Sequence, residues 1–142
     1  MRSWLVASVA VVLVVAAACS GGQESPRAER SGRAWVTAVC TDLRLWLRAA
    51  HDRPGPAAVE KASRQLEADI RALVPPKTDD GGSAQGEVER LAQAIRQRAG
   101  TRSTAALVAE VRASVDGIRN LTPGGAIERA FRAAPQCRAV RG

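Results

Sequence analysis

The chain has 142 residues, 21 Lys and Arg against 14 Asp and Glu, and a formal charge of +7. That length fits one domain with a modest core. With no Tyr and a single Phe (Phe131), it lacks the aromatic platform on which single-stranded nucleic acid stacks, so no nucleic-acid partner is expected.

The chain opens with one basic residue, Arg2, and an apolar run from Trp4 to Val15, and then reads Ala16-Ala17-Ala18-Cys19. The run is shorter than the roughly 20 apolar residues that a spanning helix needs. A charged start, a short apolar stretch and small residues before a cut describe a signal peptide. Small residues just ahead of a cysteine resemble the lipobox of bacterial lipoprotein precursors. The resemblance implies cleavage before Cys19, a diacylglyceryl group on its thiol, and tethering to the extracytoplasmic side of the cell membrane. Ala16 stands where that family usually carries Leu, and Ala16-Ala17-Ala18 also satisfies the A-x-A rule of ordinary secretory cleavage. The match is specific over Met1 to about Gly22, and the whole is similar to the short helical lipoproteins of GC-rich Gram-positive genomes. The expected divisions are a signal peptide at 1–18, a lipidated cysteine and tether at 19–31, and a helical domain at 32–142.

Cysteine parity agrees with lipidation. If Cys19 carries lipid, Cys40 and Cys137 remain as a pair, and an exported chain can oxidise them to a disulfide. Closing a loop of about 100 residues would restrict the unfolded chain by up to about 4.7 kcal/mol in the entropy model.

Ser20 to about Arg30 is rich in Gly, Ser, Pro and charge, which predicts a flexible tether. A first helix is predicted from about Gly32 to Ala50. Trp35, Val39, Trp46 and Ala50 share its apolar stripe with Val36, Cys40, Leu43 and Leu47, spanning about 140°. Leu45 falls on the opposite side. It extends an exposed patch or is covered by a later helix, and the suspected disulfide favours the cover.

Pro56 opens a second helix whose inner face carries Val59, Ala62, Ser63, Leu66, Ile70 and Leu73, stopped by Pro75-Pro76. After a loop over residues 77–82, Ser83 is the expected cap of a third helix, with Val88, Leu91, Ala92 and Ile95 inside and Gly100 ending it. Ser103 or Thr101 caps a fourth, with Leu107, Val108, Val111, Val115, Ile118 and Leu121 inside. Thr122-Pro123 signals a short fifth, with Ile127, Ala130, Phe131 and Ala134 inside. No strand alternation follows the leader. The expected fold is all-α: a four-helix antiparallel bundle with a short fifth helix across it and one disulfide.

Chemistry-bearing patterns are sparse. His51-Asp52 sits at a helix end, where the helix dipole alone favours a cation. Glu67 with Asp69, and Glu87 with Glu89, have a spacing that does not share a helix face. Asp79-Asp80-Gly81-Gly82 lacks the alternating acids of a calcium loop. No hydrolase, zincin or P-loop motif occurs. The expectation is therefore not an enzyme, with no cofactor and no metal. The expected function is a non-catalytic interaction module docking on an envelope protein or an anionic lipid surface, with Trp35, Leu45 and Trp46 as the candidate binding surface. The alternative is a carrier holding an apolar ligand or lipid between its helices.

Overall fold

In the computed structural model, residues 25–52 and 55–141 are described; the signal-peptide and lipidation expectations for Met1 to Cys19 lie outside them. The described residues form five α-helices: α1 Pro26–Asp52, α2 Pro56–Ala72, α3 Gly81–Arg98, α4 Thr104–Arg119 and α5 Ala126–Ala133. A 3-10 helix, Pro135–Ala139, follows. There is no strand among the described residues.

The helix starts follow from local chemistry, and three of them differ from the sequence expectation. α1 begins at Pro26, six residues ahead of Gly32, and takes in residues expected in the tether. Ser25 Oγ accepts the Ala28 N–H at 3.2 Å, and Pro26 occupies the first helical position, where a missing N–H costs nothing. The added turn is held by tertiary contact: Ser31 Oγ accepts the Lys77 N–H at 2.9 Å, and Gly32 is buried against Thr78 and Ile127.

α3 begins at Gly81, with Asp80 rather than Ser83 as its N-cap. α4 starts as expected, with Ser103 Oγ accepting the Ala106 N–H. α5 starts three residues after Pro123, because Gly124 adopts φ +76° and the chain must turn there before it can coil.

Each helix packs on its successor: α1 on α2, α2 on α3, α3 on α4 and α4 on α5. α5 and the 3-10 helix return to α1, so α1 is flanked on both sides. One apolar core runs through all six elements and includes Trp35, Trp46, Ile70, Ile95, Leu107 and Phe131. Leu121, expected inside, lies past the end of α4 and is 39% exposed.

Cys40 of α1 and Cys137 of the 3-10 helix are joined by a disulfide, with Cα atoms 5.0 Å apart. Arg141 fixes the same region by donating to the carbonyl of Phe131 at 2.7 Å.

Candidate functional site

The two tryptophans of α1 point inward and are closed by hydrogen bonds. Trp35 Nε1 donates to Gln85 Oε1 at 2.7 Å, and Gln85 Nε2 donates onward to the Ile70 carbonyl and to Glu89 Oε1. Trp46 Nε1 donates to Ser63 Oγ at 3.0 Å. Buried indole N–H groups need such partners. Both side chains are core, and neither lines any of the clefts described below.

Leu45 is 53% exposed, so the fifth helix does not cover it. The reason is where α5 lands. It lies over the Gly32 end of α1 on the core side, where Ala126 and Ile127 approach Gly32, and the disulfide ties the chain to the stripe that carries Cys40. Leu45 is turned away from that stripe. The three residues expected to form one binding surface are therefore split: two inside, one outside.

Several acidic residues are engaged in structure. Glu67 is buried between Arg71 of its own helix (2.8 Å) and Arg96 of α3 (3.0 Å). Its Oε1 faces Arg71 as an ion pair without a well-directed hydrogen bond. Glu87 pairs with Arg90 and Glu110 with Arg98. Glu128 accepts the Gly124 N–H and pairs with Arg132. That backbone donor holds its carboxyl below the ordinary value; burial opposes the shift, and Arg132 and Arg119 reinforce it. Asp42 is shifted upward, first by burial and then by the nearby Asp69 carboxylate. His51 Nδ1 lies 3.0 Å from Asp52 Oδ1, with both side chains in solvent. Among the described residues, no three His, Cys, Asp or Glu side chains gather to hold a metal.

The concave features lie on the surface. A cleft of about 390 Å³ between α3 and α4 is bordered by Glu87, Arg90 and Glu110, whose charges are already paired. A larger one, about 500 Å³, opens between the end of α1, the first half of α4 and the 3-10 helix. Leu47, Ala50 and Val108 form its deeper lining, and Ala105 and Ala109 form an exposed wall. His51 and Arg112 stand at its edge. The signal for it in the sequence is faint: Ala105 and Ala109 sit one turn apart on the outer side of α4, small enough to leave a hollow.

No protein-family model, no curated protein and no solved structure matches this chain. No helix among the described residues is long and apolar enough to cross a membrane.

Proposed function

We propose that this protein is a non-catalytic binding module of the bacterial cell envelope, anchored through lipid on Cys19 to the extracytoplasmic face of the membrane. The leader and the cysteine parity support the anchor. The observation that carries the binding role is the closure of the interior: both indoles, Gln85 and Ser63 are hydrogen-bonded inside and Glu67 is held between two arginines, while Leu45 is left outside on the longest helix. Recognition then falls to the surface. The framework for it is a four-helix antiparallel bundle; short connections between helices that pack in chain order support that arrangement.

The carrier is the second reading. A cavity beside Trp35 or Trp46 does not support it, but the cleft beside Leu47 and Val108 does, being of the size that small-molecule sites have.

Intact-mass measurement of the membrane-extracted chain tests the anchor. The expected mass is that of a chain starting at Cys19 plus a diacylglyceryl group, and Cys19→Ser should move the protein to the medium. An unlipidated wild-type chain in the medium would overturn the anchored reading. A photo-crosslinking residue at position 45 tests the docking face. Discrete adducts with an envelope protein or lipid are expected, and their absence at 45 but presence elsewhere would move the face.

A further inference from the structure

We infer that the cleft between α1, α4 and the 3-10 helix binds the alkyl chain of a single anionic amphiphile, a long-chain carboxylate or its phosphate counterpart, with the head group held by arginine at the mouth. This rests on the reading of the protein as a binding module and adds the ligand's class and place.

The lining sets the first half of that chemistry. Leu47, Ala50, Val108, Ala105 and Ala109 offer carbon to whatever enters, and the volume of about 500 Å³ lies within the range of ligand pockets. A concave apolar slot of this kind takes a chain; a flat bilayer surface would leave it unfilled.

Charge sets the second half. Arg112 borders the cleft, is exposed, and makes no ion pair or hydrogen bond through its side chain among the described residues. Arg48, Arg102 and Arg138, close in sequence to the lining residues Leu47, Thr104 and Ala139, are exposed as well; of the arginines, Arg112 is the one that lines the cleft. The nearby acids do not offset them. Asp52 faces His51, and Glu110 is held by Arg98. An apolar slot with an exposed guanidinium group at its edge complements a ligand with an apolar tail and an anionic head.

The test uses the exported chain carrying Cys19→Ser, so that no acyl group is attached to the protein. Dodecanoate is titrated below its micelle concentration and followed by calorimetry and native mass spectrometry. Dodecanol supplies the tail without the charge, and butyrate the charge without the tail. One dodecanoate per chain is expected, with dodecanol weaker by at least about tenfold and no saturable butyrate binding. Arg112→Glu should weaken dodecanoate by about tenfold. Ala105→Trp and Ala109→Trp, both at exposed positions that leave the core untouched, should each abolish binding while the helical circular dichroism stays unchanged. No saturable dodecanoate binding, equal affinity for dodecanol, or full binding by both Trp variants would overturn the inference. Vesicles containing phosphatidylglycerol separate it from the broader reading. If they bind the wild type and both Trp variants alike, and free dodecanoate does not bind, the cleft ligand is refuted and the docking module stands.

Discussion

The indole N–H of Trp46 lies 3.0 Å from the hydroxyl of Ser63 on the neighbouring helix, and that hydroxyl donates in turn to the carbonyl of Val59 at 2.7 Å. The relay ties the middle of α1 to α2 with no polar atom left over at the joint. Ser63→Ala strands a buried donor, which should lower stability by about 1–3 kcal/mol. Adding Trp46→Phe removes that donor, so the double variant should lose less than the two single losses combined. Urea titrations of the four proteins measure the coupling, and simple additivity would show that the hydrogen bond carries none.

The disulfide joins α1 to the 3-10 helix across 97 positions of sequence. Cys137→Ser should lower stability by up to about 4.7 kcal/mol, a large share of the 5–15 kcal/mol usual for a domain. A clear fall in melting temperature is expected, and wild type under reducing conditions should fall with it. An unchanged melting temperature in both would show that packing of α5 and Arg141 suffices without the bond.

Gly81 and Gly82 open the same helix and should respond in opposite directions. A Cβ on Gly81 would collide with the Pro76 carbonyl oxygen, a backbone atom that cannot rotate aside, whereas a Cβ on Gly82 would meet nothing within 4 Å. Gly81→Ala should therefore cost at least about 1–3 kcal/mol, as forced overpacking does. Gly82→Ala should gain a few tenths up to about 1 kcal/mol from helix propensity. Thermal melts of the pair check the ordering.

Glu128 predicts the acid limb of the stability curve. Its carboxyl is held below its ordinary value of 4.5 in the folded chain, so it binds a proton less readily there than when unfolded. Its contribution is complete above about pH 4.5 and disappears as the pH falls through the lower folded value. Glu128→Gln should flatten that part of the profile and leave the slope above pH 6 unchanged. Equal acid slopes in the two proteins would assign the loss to other carboxylates.

Much of the fold is legible in the residues because the apolar stripes are long and regular. The buried faces of α2 and α4, Leu121 excepted, follow from spacing, and Ser103 is one of the two caps that the sequence offers for α4. Other features depend on partners that no local pattern names. Ser25-Pro26 is a usable start signal for α1, yet the polar run beyond it reads as tether until Lys77 and Thr78 come to meet Ser31 and Gly32. Trp35 is marked as apolar stripe, but its polar partner Gln85 looks like any surface glutamine until α3 packs. Periodicity placed Leu45 opposite the core; it could not say which flank of α1 the fifth helix would choose. The cleft depends on how α4 lies beside α1, which spacing within one helix does not encode.

Cys137 and Val140 come after every other core residue in chain order, and both are fully buried. The interior therefore cannot seal while they are still being made or are held in a channel. Until Cys137 arrives, Cys40 lacks the partner it has in the folded chain. The folding clock of this protein is set from its C-terminal end. Even a short truncation that removes Cys137 and Val140 should therefore act as a folding defect rather than a trim.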